Sequence, residues 1–382
     1  MQSVQSVTPA VPTALRYQPE LMGLRAVAIG LVVLGHWTLS PFPLSEVGRL
    51  PLFVLSGYLI SGIIWKNEIY WGGKPGWPRR LGIFYTRRFL RIIPPYYVSL
   101  ALGALLPLST LHQHPGWFLL PLTNVLCYQL RAWPEGVGHY WTMALEEQFY
   151  VVWPLVLGVL AMLRRRAGGL WALVFLGVAY RLYGAFFLLP ATPVYATVLL
   201  PACLDLFALG ALLRLHTAAA RAQPALAPPY PGWPAALTAL AWSLLWAATR
   251  SSLPAERVWE VVAPGLGAVT SYFTLRWLMR APRQGRWLAH PLAQWLGKRS
   301  YGIYLYHLML PVLYQRMVFH FIPAASQWRP LLMHPLLMTL LLLPIVVSLS
   351  ALSWHWLEAP LEKMKARFAY EPAPSPVPAA TQ

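Results

Sequence analysis

Charge is what this chain has least of. Only 11% of its 382 residues are Asp, Glu, Lys or Arg, against roughly 25% in an ordinary soluble domain. That poverty excludes a soluble globular fold, whose surface needs charge. Acidic residues are scarcest, 12 against 30 Lys and Arg, for a net charge of +18. A balance this basic would suit nucleic acid, but no basic domain is present for it to sit on, and in apolar chains Lys and Arg report topology. Cysteine occurs twice, at Cys127 and Cys203, too few for a disulfide framework or a thiolate metal centre. No His, Cys and carboxylate group has ligand spacing, so no metal is expected. Neither a Ser-His-Asp order nor a Gly-x-Ser-x-Gly elbow occurs, so an enzyme-borne hydroxyl nucleophile is not indicated. The stretch before Glu20 lacks a basic segment followed by a small-residue cleavage site, and no cleaved signal peptide is expected.

What the chain does have is apolar length. Hydrophobic residues make up 57%, with 19 Trp and 19 Tyr suited to the aromatic belts at membrane interfaces. Apolar windows fall at about 21–39, 47–65, 92–110, 141–163, 170–189, 194–215, 233–249, 258–280, 300–319 and 331–357. This pattern predicts an all-α polytopic membrane protein, a bundle of about ten transmembrane helices over 19–362, between an N-terminal tail at 1–18 and a Pro/Ala-rich, disordered tail at 363–382. A floppy Ala/Pro-rich linker is expected from Thr217 to Gly232. Ten spans leave both termini on one side. Placing them in the cytoplasm puts 23 of the 30 Lys and Arg there and five outside, as the positive-inside rule requires.

Ionisable groups inside a bilayer cost several kcal/mol unless paired. Those read as lying inside the bilayer are Arg25, His36, Glu146, Glu147, Arg181, Asp205, His307, Arg316 and Glu358. Arg25 and His36 are eleven residues apart, which on a helix means roughly 16 Å along the axis and about 20° of offset, one face for both. His36, Glu146 and His307 fall at depths where they can converge, and histidine oriented by a neighbouring carboxylate is the side chain suited to take a proton near neutral pH. Asp205 reads as a buried partner of Arg181. His307 is balanced between packing and substrate contact, whereas His112, His114 and His139 read as wet loop residues. Arg88 and Arg91 share a helical face and form the fork that phosphate recognition wants, although basic helix ends also arise from topology alone.

Seven stretches in order resemble the integral-membrane type 3 acyltransferases, a family of ten-helix bacterial O-acyltransferases: Arg25 with His36; PLFVLSGYLISG from Pro51; RRFLRIIPPYY from Arg87; HYWTMALEEQFYVVWPL from His139; LDLFALGALL from Leu204; SYGIYLYH ending at His307; and WLEAP around Glu358. The resemblance implies transfer of an acyl group, usually acetyl, from cytoplasmic acetyl-CoA as co-substrate to a hydroxyl of a glycan, a lipid-linked sugar or a glycosylated small molecule. It implies that His36 is catalytic, that Arg25, Arg88 and Arg91 serve the coenzyme, and that Glu146, five residues after Trp141, belongs to the essential motif. Glu147, His307, Glu358 and Asp205 remain as substrate or structural support. It also implies the bacterial inner membrane. No esterase-like domain of the kind fused to some members is expected, so any second transfer step would need a separate extracytoplasmic partner. Within the enzyme class, an acyl-imidazole on His36 rivals direct transfer. The rival class is a proton-coupled transporter or flippase using the same Arg, His and Glu as a relay, but the inverted repeats and paired broken helices that would favour it are not apparent in the sequence.

Overall fold

A computed structural model describes residues 18–38, 40–70, 75–189, 191–222, 230–249, 253–280 and 285–370. The N-terminal tail up to residue 17, positions 223–229 of the expected linker and positions 371–382 of the C-terminal tail lie outside the described residues. Among those described, the chain is helical without strands. The long helices are α1 (Pro19–Trp37), α2 (Leu44–Asn67), α3 (Trp77–Ala104), α4 (Tyr140–Met162), α5 (Arg166–Tyr183), α6 (Leu204–Ala222), α7 (Trp233–Ala248), α8 (Leu253–Arg280), α9 (Pro291–Tyr306), α10 (Met309–Phe321) and α11 (Pro335–Ser353). Six, namely α1, α2, α4, α5, α6 and α11, are long and apolar enough to cross a membrane by length and composition. Helices also lie over the other four expected spans. The protein is a multi-pass, all-α membrane protein.

Local sequence explains the boundaries. Pro19, Pro291 and Pro335 each occupy a first helical position, where a missing N–H costs nothing and the fixed φ helps. Glu68, at φ 48°, ends α2 in the left-handed conformation common at helix C-termini. The ninth expected span is broken: α9 stops at Tyr306 and α10 starts at Met309. Pro311 is the cause, for it has no N–H to give the carbonyl of His307 four residues back and its ring crowds that carbonyl. The freed oxygen accepts instead from the Trp37 indole at 2.8 Å.

Three other differences involve segments that carry basic residues. α3 begins at Trp77, directly after the left-handed Gly76, so Arg79 to Arg91 are helical and the expected span at 92–110 is displaced toward the N-terminus. The linker is shorter than expected because α6 runs on to Ala222. The C-terminal tail is likewise ordered past Glu362: helix continues to Met364, and the Arg87 guanidinium donates to the carbonyls of Lys365 and Phe368 at 3.1 and 2.9 Å.

The centre of the bundle is α2 against α6. Gly57 of α2 sits on the Phe207 backbone of α6, and Gly210 of α6 sits on the backbone at Val54 and Tyr58. Two backbones can meet this closely only where side chains are absent, the packing that membrane helices use in place of a hydrophobic driving force. α2 also packs on α1, α1 on α9, and α9 on α11. Large apolar side chains such as Phe175, Phe187, Leu240 and Leu340 point outward, toward lipid.

Candidate active site

Between α1, α2, α4, α8 and α9 lies a cavity of ≈ 430 Å³. One stripe of α1 forms a wall, with Arg25, Ile29, Val32 and His36 along it, as their helical spacing requires. Glu146 of α4 and Ser56 of α2 face the same space.

His36 occupies the last turn of α1 and is open to the cavity. Its Nδ1 lies 3.0 Å from Nε2 of His307, and the rings stack with centroids 5.1 Å apart. His307 is fully buried at the break between α9 and α10. Its Nδ1 lies 2.7 Å from the carbonyl of Tyr304. A carbonyl only accepts, so that nitrogen carries the proton, and in a neutral ring Nε2 is then the acceptor. Nδ1 of His36 must therefore be the donor between the two rings. Its Nε2 is left with a lone pair and no partner among the described residues. A backbone oxygen thus sets the tautomer of His307, and His307 sets that of His36.

His139 joins this group, contrary to the expectation of a wet loop residue. It is buried, its ring centroid 4.7 Å from that of His307, with Nε2 3.3 Å from the Leu305 carbonyl. Tyr304 fastens the segment, its hydroxyl bonding both the His139 carbonyl and the Thr142 hydroxyl. His112, by contrast, is exposed.

Glu146 does not meet the histidines. It is held by the Ser56 hydroxyl at 2.8 Å and the Tyr150 hydroxyl at 3.4 Å, and it lies in electrostatic range of Arg25. The expected convergence of His36, Glu146 and His307 therefore separates into a histidine pair and a carboxylate–arginine group. Arg25 lies in range of Arg88 and Arg91 as well, so the three expected coenzyme residues come together, although Arg88 and Arg91 do not line the cavity. The Nε atoms of Arg25 and Arg88 are buried without a hydrogen-bond partner, spare donors of the kind an anionic ligand would satisfy. Glu147, with Oε1 buried and unpartnered, lies in range of Arg88. Glu358 accepts from Ser353 at 3.0 Å in range of Arg91 and Arg299, and it does not line the cavity. Asp205 forms the expected buried pair with Arg181, bidentate at 2.8 and 2.7 Å. Among the described residues no group of His, Cys, Asp and Glu has the form of a metal site.

A histidine with a free acceptor nitrogen facing a cavity, with an arginine donor along the same helix stripe, is an arrangement able to support group transfer in a membrane. Comparison with known proteins decides the family: the profile of an acyltransferase domain matches residues 18–355. The chain belongs to the type 3 acyltransferases. Among its relatives are a peptidoglycan O-acetyltransferase of Listeria monocytogenes, 30% identical over 162 residues, covering 37% of this chain and 24% of the relative. A putative peptidoglycan O-acetyltransferase of Bacillus subtilis is 30% identical over 154 residues, covering 38% and 24%. A putative O-acetyltransferase of Staphylococcus aureus is 27% identical over 159 residues, covering 37% and 25%. The aligned region thus takes in about a quarter of the curated relatives' length. No solved structure matches the chain.

Sequence reasoning missed four residues of the type 3 acyltransferase cavity. His139 lies outside any apolar window and so carried no burial signal. Glu46, Arg49 and Glu260 stand at or near the ends of windows, where charge needs no explanation. Their only signal was the adjacency of Glu46 and Arg49 on one helical face, a spacing equally common on solvated turns.

Proposed function

We propose that this protein is a membrane O-acyltransferase that moves an acyl group, acetyl by analogy with its named relatives, from acyl-CoA to a hydroxyl of a glycan, with His36 as general base. The tautomer relay carries the reading. Fixed by Tyr304 and His307, the free Nε2 of His36 is a proton acceptor facing the cavity.

Coenzyme phosphates pair with the Arg25, Arg88 and Arg91 group, and the pantetheine arm runs along the Arg25–His36 stripe, a path of roughly 16 Å. At His36 the acceptor hydroxyl loses its proton to Nε2 while its oxygen bonds to the thioester carbonyl carbon. The C–S bond then breaks, and the coenzyme leaves as thiolate and takes the proton from the imidazolium. His307 stabilises that imidazolium by accepting the Nδ1 proton bond throughout. Glu146 holds Arg25 in place through charge, and Ser56 and Tyr150 hold Glu146. The charge pattern supports a cytoplasmic donor side and an acceptor on the other face, and the peptidoglycan-modifying relatives support a cell-wall polysaccharide as acceptor.

The test uses the purified full chain in lipid nanodiscs, with thiol release from acetyl-CoA and acceptor mass followed together. His36→Ala is expected to lower thiol release by about 10²- to 10⁴-fold, the usual worth of a positioned base, with acetyl-CoA affinity retained. Turnover retained in His36→Ala, or no thioester consumption by the parent protein, overturns the reading; the latter outcome is the one a transporter would give.

A further inference from the structure

The cavity contains a second charged group that the acyl-transfer reading leaves unused. Gly35 in the last turn of α1 abuts Ser45 in the first turn of α2, so Glu46 and Arg49 of α2 stand beside His36, at the opposite end of the stripe from Arg25. Both line the cavity with Glu260 of α8. Arg49 lies in range of His36, Glu46 and Glu260, and it is held over the ring of Trp141 at 5.1 Å. Glu260 is only 8% exposed. One of its oxygens receives a long 3.4 Å bond from Thr197, and the other accepts none from any described residue. Buried Glu260 and half-buried Glu46, the latter also bonded by the Trp259 side chain, share one guanidinium, and the second oxygen of Glu260 keeps acceptor capacity without a donor, a costly arrangement unless a ligand supplies one. The aromatic edge of this end is Trp133 and Trp141, with centroids 6.1 Å apart, and Trp133 is 43% exposed.

We propose that the His36 end of the cavity is the acceptor subsite and that it takes an uncharged sugar ring, whose neighbouring hydroxyls donate to Glu260 and Glu46 while one ring face lies against Trp133 and Trp141. This rests on His36 being the base of acyl transfer. Carboxylates accept and never donate when ionised, so they select a hydroxyl-rich ligand. Their excess over Arg49 turns away phosphorylated or sulfated ones. Flat apolar walls with a few convergent polar groups are the general form of a small-ligand pocket. Arg49, placed between the carboxylates, disfavours a divalent cation as the occupant.

The experiment uses the full chain in nanodiscs and chitotetraose, a neutral tetramer of N-acetylglucosamine, as probe. Binding is read by calorimetry, and Michaelis constants are read by thiol release. Glu260→Gln, Glu46→Gln and Trp133→Ala are each expected to weaken chitotetraose binding about tenfold or more, with the KM for acetyl-CoA unchanged. Trp133 is half-exposed on a loop, so its replacement tests the wall without threatening the fold. No saturable chitotetraose binding by the parent protein, unchanged affinity in all three variants, tighter binding of a sulfated tetramer, or a rise in the KM for acetyl-CoA instead would each overturn the subsite. Glycan binding that depends on Glu260 in a protein that consumes no thioester would sustain the subsite and overturn the acyl-transfer reading. Transfer that is His36-dependent but indifferent to all three variants would do the reverse.

Discussion

In the proposed mechanism His307 acts through His36, without touching substrate. Its imidazole lies against the rings of His36, His139 and Tyr304, and the proton on its Nδ1 is pinned by a backbone oxygen that no substitution of Tyr304 removes. Replacing His307 by alanine is expected to lower kcat about 10- to 100-fold, since His36 then loses its fixed tautomer but keeps its place. KM values for donor and acceptor should stay as they are, and His307→Gln, whose side-chain oxygen accepts as Nε2 does, should recover part of the rate. A raised KM or a lost fold in both variants would reduce His307 to a packing residue. At this scale the sequence was readable in one direction only. Arg25 and His36 stand out because each is a lone ionisable group in an apolar run. The partner of His36 is 271 positions away, and the sequence ties the two together only through the predicted depth of their spans, which does not separate contact with His307 from contact with Glu146. Glu146 was visible for the same reason as Arg25, yet its clamp is Ser56 and Tyr150 rather than a histidine. A serine in a membrane helix gives no warning, because its hydroxyl can bond a carbonyl one turn back, and a tyrosine gives none, because it presents an apolar ring with one polar tip that is common in such helices.

Elements were legible wherever apolar length alone decides them. The windows that predict α1, α2, α4 and α11 work because a bilayer demands that every backbone group be bonded within the helix. The break after Tyr306 was not legible, because Pro311 in an apolar run also fits an unbroken, locally adjusted helix. Only the Trp37 indole, which takes up the freed His307 carbonyl, makes the break stable. The crossing of α2 and α6 has a sharper dependence on sequence, since Gly57 and Gly210 each face backbone of the other helix. Gly57→Val or Gly210→Val must push the helices apart, and overpacking of this kind costs about 1–3 kcal/mol or more. Each variant is expected to lower the unfolding temperature in detergent and to reduce thiol release, because α2 carries Ser56, Glu46 and Arg49 into the cavity. Unchanged thermal stability in both would show that the two helices can slide apart without loss.

For the whole molecule, charge and geometry point the same way. The basic residues Arg79 to Arg91, Arg164 to Arg166, Arg286, Lys298 and Lys363 to Arg367 occur at chain positions that alternate with Arg131 and Arg329. With ten crossings, such alternation places every basic cluster and both termini at one face. In the proposed reaction the donor is cytoplasmic acyl-CoA, met by the spare arginine donors toward that basic face, and the acceptor reaches His36 from the other side, so the proposal ties the direction of transfer to the orientation of the bundle. Orientation is open to direct measurement. In a background with the buried Cys127 and Cys203 replaced by alanine, a cysteine at the exposed Gln327 is expected to react with a membrane-impermeant maleimide in intact cells. One at the exposed Arg286 should react only after the membrane is opened. The opposite pattern would put the arginine group on the side without acyl-CoA, and the donor would then have to enter beside His36, with Glu46 and Glu260 in its way.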